Sequence, residues 1–154
     1  MLRLRRACAT LARSLPPHKL MPMPRLSPTM SSGALVRWHV VEGQPLPDAG
    51  MEPTCDVLPV GLTDDADVEA NPPTLVIESH EEGFVARILL AEGHSAAPDE
   101  AIAVICEREE DIEAVRAAYD ALGESGRKQL LVEPATFAWQ AYLAGPATRE
   151  CSNS

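Results

Sequence analysis

Two stretches of the sequence repeat one pattern at an offset of 50 residues: Gly33-Ala-Leu-Val-Arg-Trp-His-Val-Val-Glu-Gly43 and Gly83-Phe-Val-Ala-Arg-Ile-Leu-Leu-Ala-Glu-Gly93. Each copy opens on glycine, has an arginine in the same place and ends in Glu-Gly. The residues between the glycines are mostly aliphatic or β-branched, which is typical of a strand bounded by turns. The repeat therefore predicts two equivalent β-units.

Each copy has further apolar segments on both sides. Residues 19–26 and 74–79 precede the two copies, and residues 56–62 and 101–106 follow them. This arrangement predicts two three-strand halves related by a pseudo-two-fold axis, which pack as a small antiparallel sandwich or flattened barrel. Aromatic residues make up only 4% of the chain, so we expect an aliphatic core. A chance match of two strand–turn units is the alternative.

The pattern changes after Glu107. Apolar residues spaced three, four and three apart follow an acidic run and predict an amphipathic helix that stops at Gly123; they are Ile112, Val115, Tyr119 and Leu122. Residues 135–144 hold three of the six aromatic residues and predict a second short helix. This helix would either cover an open end of the barrel or dock on another protein. We therefore expect residues 113–154 to form a helical C-terminal extension.

The N-terminal segment differs in charge from the rest of the chain. Residues 1–20 contain five basic residues, no acidic residue, and spaced leucines and alanines, which is the composition of a mitochondrial transit peptide. A disordered basic tail is the alternative. The whole chain has a net charge of −10, so removal of these five basic residues leaves −15. Such a polyanion repels nucleic acid and anionic lipid, whereas it could favour a basic protein partner or simply aid solubility.

The residues that usually carry chemistry are scattered. The four cysteines have no C-x-x-C spacing, and the four histidines form no metal-binding motif; they are Cys8, Cys55, Cys106, Cys151, His18, His39, His80 and His94. The sequence also has no run of 18 apolar residues that could span a bilayer. We therefore expect free thiols, no metal site, no catalytic residue and no membrane span.

Several motifs lie along the chain. Residues 23–30 read Met-Pro-Arg-Leu-Ser-Pro-Thr-Met and are followed by Gly33, Trp38 and Glu42-Gly43, and two further segments span residues 77–88 and 102–112. The first group resembles the opening of the lipoyl domains of mitochondrial dihydrolipoamide acyltransferases, and the two later segments resemble the second half of that domain. The strongest resemblance is to the pyruvate dehydrogenase complex, either to its acetyltransferase or to the related protein that binds dihydrolipoamide dehydrogenase.

This resemblance implies a lipoyl-like domain over residues 21–112. It implies an all-β fold, a flattened antiparallel β-barrel or sandwich of two four-stranded sheets (the single hybrid motif), which agrees with the internal repeat. Short C-terminal helices would follow this domain.

In that family, lipoic acid is attached to the lysine of a Thr-Asp-Lys-Ala-Thr sequence at one hairpin tip. The sequence here reads Thr-Asp-Asp-Ala from residue 63, which puts Asp65 at the lysine position. Aligned from Thr74 instead, Pro72 falls there, and residues 63–74 exceed the family's tip by seven residues. The two lysines of the chain, Lys19 and Lys128, are expected to lie outside the barrel. The comparison therefore predicts no lipoic acid and no other cofactor.

These features favour a non-enzymatic, non-lipoylated accessory or interaction protein of the mitochondrial matrix. Its expected partners are proteins of the pyruvate dehydrogenase complex or a related 2-oxoacid dehydrogenase complex. One alternative is a structural supernumerary subunit of another mitochondrial assembly, such as a respiratory complex, because a fold does not fix a function. A genuine lipoyl acyl carrier is the other alternative.

Overall fold

The computed structural model describes residues 15–48, 52–123 and 130–143. Its strands are β1 (His18–Pro22), β2 (Ser32–Trp38), β3 (Cys55–Val60), β4 (Leu75–Ser79), β5 (Phe84–Ile88), β6 (Ser95–Ala96), β7 (Ala101–Cys106) and β8 (Trp139–Leu143). Its α-helices are α1 (Ala66–Ala70) and α2 (Ile112–Asp120), and 3-10 turns span Glu109–Asp111 and Pro134–Thr136. The six strand-like segments of the repeat are therefore confirmed.

The strands form two antiparallel sheets, one of three strands in the order β1-β7-β5 and one of five in the order β6-β2-β3-β4-β8. The flattened all-β sandwich is confirmed, although its strands divide three and five rather than four and four. Pro45 bridges Phe84 and extends the smaller sheet by one residue, in the place that β6 takes in the larger sheet. Strand β8 is the additional strand.

The pseudo-two-fold axis is visible in the strand register. Arg37 lies opposite Asp56 across β2 and β3, and Arg87 lies opposite Val104 across β5 and β7. Both pairs of strands contain a β-bulge at the same place, between residues 35 and 37 and between residues 85 and 87. Because a bulge shifts all later pairs by one residue, a repeated bulge shows that the two halves share one register.

The glutamates of the repeat join the two halves. Glu42 Oε1 accepts a hydrogen bond from the Ile88 backbone N–H at 2.9 Å. In the other half, Glu92 Oε1 accepts one from the Trp38 N–H, also at 2.9 Å. Each carboxylate thus satisfies a backbone donor in the opposite copy, so neither half completes its hydrogen bonding alone.

The glycines that follow these glutamates also form hydrogen bonds between the two halves. The Gly43 N–H donates to the Val85 carbonyl at 2.7 Å, and the Gly93 N–H donates to the Leu35 carbonyl at 2.8 Å. Their φ angles of 89° and 84° lie in the left-handed region, which glycine adopts at little steric cost. The Glu-Gly pairs therefore encode the junction between the halves.

The core divides into two clusters, one inside the sandwich and one outside it. The inner cluster is aliphatic and methionine-rich with one buried aromatic residue, and includes Met21, Met23, Leu35, Val57, Ile77, Val85, Ile105 and Phe137. The outer cluster lies between the three-stranded sheet and the C-terminal region, and includes Ala86, Val104, Cys106, Ile112, Val115, Tyr119, Leu130 and Val132. The aliphatic core is confirmed, with Phe137 as an unforeseen member.

Helix α2 confirms the helix expected after Glu107. It buries Ile112, Val115 and Tyr119, three of the four residues expected on its apolar face, while the fourth, Leu122, lies beyond its end and is partly buried. Tyr119 also lies 2.7 Å from His18 Nε2, which ties the helix to the start of β1. The helical region ends at Gly123. Its φ of 71° is a conformation that glycine adopts with little strain.

The expected helix over residues 135–144 is wrong. A 3-10 turn occupies Pro134–Thr136, and the chain then pairs with β4 as strand β8. The sequence alternates here, with Trp139 and Ala141 packed on the inner core and Gln140 and Tyr142 more exposed. The edge of β4 supplies hydrogen-bonding groups that an isolated segment lacks, so strand pairing prevails. In its described residues the extension is therefore helical only in part, and β8 adds to the sandwich of its own chain.

The expected transit peptide lies mainly outside the described residues, which begin at residue 15. Residues 18–20 belong to β1, so a cleavage that keeps this strand intact must precede His18. No helix among the described residues has the length and apolar character needed to cross a membrane.

Candidate functional site

The hairpin between β3 and β4 contains the position at which the resemblance expects an attachment lysine. The two strands pair Cys55 with Ile77 and Val57 with Leu75, and residues 61–74 join them. The joining segment leaves β3 at Gly61, which packs closely on the preceding loop. A Cβ atom at Gly61 would lie 2.8 Å from the Thr29 carbonyl oxygen, too close for any side chain.

The rest of the tip folds around helix α1. Asp65 is the N-cap of this helix, and its Oδ1 accepts a hydrogen bond from the Asp67 N–H at 2.9 Å. Glu69 reaches back from the helix and accepts from the backbone N–H groups of Gly61 at 2.9 Å and Thr63 at 3.2 Å. The tip is therefore a capped helical loop rather than a tight turn.

The chemistry of this tip is acidic. Residues 61–74 contain four carboxylates and no lysine or arginine, and the carboxylates are Asp64, Asp65, Asp67 and Glu69. Attachment of lipoic acid as an amide requires a primary amine, which neither Asp65 nor Pro72 supplies. The carboxylate of Asp65 instead stabilises the positive N-terminal end of α1.

Lys19 lies inside the fold, which corrects the expectation that both lysines are outside the barrel. It belongs to β1 and pairs in register with Ile105. Its Nζ lies 2.7 Å from Glu81 Oε2, and Glu81 Oε1 accepts from the Ala138 N–H at 3.0 Å. Burial would raise the pKa of Glu81, but hydrogen bonds from Lys19 and Ala138 hold it below its usual value. Lys128 lies outside the described residues.

The described cysteines are buried in the fold. Cys55 and Cys106 are both free thiols, as expected, while Cys8 and Cys151 lie outside the described residues. Burial raises the pKa of the Cys55 thiol, and the nearby Asp56 adds to this effect. Burial also raises the pKa of the Cys106 thiol. A thiol that ionises so weakly is a poor nucleophile or metal ligand.

Within residues 15–48, 52–123 and 130–143, no three histidine, cysteine or acidic side chains cluster as metal ligands. The absence of a metal, like the absence of a catalytic residue, stays a prediction.

Helix α1 differs from the expectation for residues 63–74, which the family alignment indicates only as a lengthened hairpin tip. A signal was present, because aspartate is a favoured N-cap and Asp65 precedes the helix-compatible run Ala-Asp-Val-Glu-Ala. The contact of Glu69 with Gly61 could not be read from the sequence, since it depends on how the helix folds back. Asp65 therefore lies at the position aligned with the family's lysine and also caps helix α1.

The chain is similar to known proteins over 64–73% of its length. It is 42% identical over 99 residues to the dihydrolipoyllysine-residue acetyltransferase component 3 of the mitochondrial pyruvate dehydrogenase complex of Arabidopsis thaliana. The corresponding component of Caenorhabditis elegans is 32% identical over 114 residues, and that of Saccharomyces cerevisiae is 33% identical over 104 residues. This chain is a homologue of those acetyltransferase components.

The match covers unequal shares of the compared chains. The match to the Arabidopsis protein covers 64% of this chain but 16% of that protein. The match to the C. elegans protein covers 73% of this chain but 20% of that protein. This chain thus spans about a fifth of the length of these relatives. No family model matches the chain. The expected resemblance is confirmed for a segment of the size of a lipoyl domain.

We expect Glu69→Ala to loosen the tip without unfolding the sandwich. The change removes both hydrogen bonds accepted by the carboxylate, and a hydrogen bond to a charged group contributes about 1.5–3 kcal/mol. Amide hydrogen exchange at Gly61 and Thr63 should accelerate by about tenfold or more. Asp64→Ala is the matched control, since Asp64 is exposed in the same loop. Equal exchange rates in the two variants would contradict the role of Glu69.

Proposed function

We propose that this protein is a non-lipoylated, non-catalytic accessory protein that keeps the shape of a lipoyl domain and uses it for protein interaction. The observation that carries the proposal is Asp65, which occupies the aligned lysine position and serves as the N-cap of α1. The tip thus has a structural use for a carboxylate where the family has an amine. A lysine there would lose this cap and place a cation at the positive end of the helix.

The retained fold supports the proposal. The Glu-Gly contacts between the two halves are present, and they involve no residue of the tip. A longer tip costs little stability, because loop-closure entropy grows slowly with loop length. An attachment site can therefore be lost while the rest of the domain persists.

We further propose that the protein works in the mitochondrial matrix in association with the pyruvate dehydrogenase complex or a related 2-oxoacid dehydrogenase complex. The names of the relatives support the complex, and several of those names specify mitochondria. The basic, acid-free composition of residues 1–20 supports import. The acidic surface suits a partner with basic residues.

The mass of the intact protein, purified from its own cells, tests the loss of attachment. We expect the mass of the unmodified chain after removal of any leader. A lipoyl domain cut from a relative and expressed in the same cells is the positive control, and it should carry the added group. Detection of a lipoyl group on this chain would contradict the proposal.

The same purification tests the association. Subunits of a 2-oxoacid dehydrogenase complex should co-purify with the protein and co-migrate on a native gel. Migration with a respiratory complex instead would favour the alternative of a structural subunit in that assembly. The two measurements are independent, so either half of the proposal can fail alone.

A further inference from the structure

The outer faces of the two sheets are equivalent by the internal pseudo-two-fold, yet only the face of the three-stranded sheet carries α2. On that face Ala86, at the bulge of β5, is completely buried. Its equivalent at the bulge of β2, Val36, is 47% exposed. Leu58, the equivalent of the buried Cys106, is also partly exposed. The described residues thus form two matching faces and cover one of them.

Helix α2 is held on its face by polar contacts beside the bulge as well as by apolar packing. Arg116 Nε donates to the Ala86 carbonyl at 3.0 Å. Asp120 Oδ1 lies 3.0 Å from Arg87 Nε, and Arg116 also approaches Glu42 at 3.7 Å. A basic residue and an acidic residue one turn later therefore fix the helix over the repeat arginine.

The uncovered face presents equivalents of all these groups. Arg37 takes the place of Arg87, the Val36 carbonyl takes the place of the Ala86 carbonyl, and Glu92 takes the place of Glu42. Within the part of the chain that the structure describes, Arg37 is exposed and makes no ion pair. The face thus has the polar groups that hold a helix on its counterpart.

The centre of this face differs from its counterpart in one way that bears on the partner. Asp56 stands where the other sheet has the buried Val104. Its Oδ1 lies 3.0 Å from His39 Nε2, and both side chains are partly exposed. An apolar helix laid here would remove the exposed part of this carboxylate from water, whereas a basic side chain would pair with it.

We propose that the outer face of the five-stranded sheet docks an amphipathic helix of a partner protein. Its apolar stripe packs on Val36, Leu58 and Val60, an acidic side chain pairs with Arg37, and a basic side chain pairs with Asp56. Val60 is 49% exposed, so the stripe buries apolar surface that otherwise faces water. The partner is a different protein because α2 of this chain is already committed to its own sheet. This inference deepens the proposed function by naming the surface that binds the partner.

Site-specific photocrosslinking tests the proposal. The full chain is prepared with benzoylphenylalanine at Val36, or at Val41 as a control that is 59% exposed in a loop outside this face. Each protein is added to a mitochondrial extract, irradiated and digested, and the crosslinked peptides are sequenced by mass spectrometry. We expect position 36, and not position 41, to crosslink to an amphipathic helical segment of another protein that carries both acidic and basic residues.

Charge reversal at Arg37 is the second arm. Arg37→Glu should reduce the crosslink at position 36 by about tenfold, because loss of an interfacial ion pair is worth about 1.4 kcal/mol or more. Arg25→Glu makes the same charge change at a residue that pairs with Asp99, and it should leave the yield unaltered. The thermal midpoint of each variant shows whether it is folded.

Four outcomes would overturn the proposal: equal crosslinking at positions 36 and 41, a crosslink to a segment without helical amphipathicity, one to a second copy, or one to residues 124–129 or 144–154 of the same chain. Crosslinking to a helix from outside any 2-oxoacid dehydrogenase complex would keep the docking face and refute the proposed complex. Co-purification of that complex without a crosslink at position 36 would support the proposed complex and refute the docking face.

Discussion

Replacing residues 63–74 with Thr-Asp-Lys-Ala-Thr should turn this protein into a substrate for lipoate attachment. In cells that express a lipoate-attaching enzyme, the intact mass should shift from unmodified chain to chain carrying one lipoyl group. The change removes Asp65, α1 and the Glu69 contacts together, and it leaves β3 and β4 in their present register. The expected effect is close to all-or-none, because only a primary amine can form the amide.

The physical basis is that the sandwich positions the tip independently of what the tip contains. The pairs Cys55–Ile77 and Val57–Leu75 hold the ends of the hairpin, and both ends are buried in the core. A shorter connection also slightly lowers the entropic cost of closing the loop. The new lysine would therefore lie in a connection of seven residues, in place of the present fourteen, between two fixed strands.

Two control variants separate the amine from the loop. The same replacement with Thr-Asp-Ala-Ala-Thr should fold and remain unmodified. Asp65→Lys in the natural loop should be modified poorly, because residue 65 would still begin a helix within a twelve-residue tip. A folded lysine replacement that stays unmodified would show that the sandwich no longer presents this tip as its relatives do.

Phe137→Ala should destabilise the protein more than any substitution at the exposed tip. Phe137 is 2% exposed and belongs to the inner core, although it lies in the C-terminal extension. Truncation of a buried phenylalanine costs about 3–5 kcal/mol through lost transfer energy and a residual cavity. The thermal midpoint should fall by about 10 °C or more.

Phe137 connects the extension to the sandwich. The chain after it is fixed by the His80 N–H donating to the Ala138 carbonyl at 2.9 Å and by Glu81 accepting from the Ala138 N–H. Loss of the ring should therefore also weaken the pairing of β8 with β4. Hydrogen exchange in β8 should accelerate more than exchange in β7, which lies in the other sheet.

Tyr142→Ala is the matched control, since Tyr142 lies in the same extension but is 42% exposed. It should change stability by about 0.5 kcal/mol or less. If Phe137→Ala does not fold, Phe137→Leu should fold with an intermediate loss, because leucine fills part of the cavity. A thermal midpoint for Phe137→Leu equal to that of the natural protein would contradict a core role for this residue.

The repeat at an offset of 50 residues is the part of the fold that local pattern determined best. Glycine at the turns and β-branched residues between them act over a few residues, so their consequences are visible without a structure. The helix after Glu107 was predictable for the same reason, since Val115 and Tyr119 lie on one helical face. The position of Asp65 followed from alignment with the family motif alone.

The sequence by itself thus determined the two β-units, their Glu-Gly ends, helix α2 and the absence of a lysine at the tip. The tertiary structure alone decided that residues 139–143 form a strand, that Glu69 folds back on Gly61, and that Lys19 pairs with Glu81. Turns and helical faces depend on neighbours along the chain. An edge strand, a back-folded carboxylate and an ion pair depend on groups brought together only by folding, so they have no local signature.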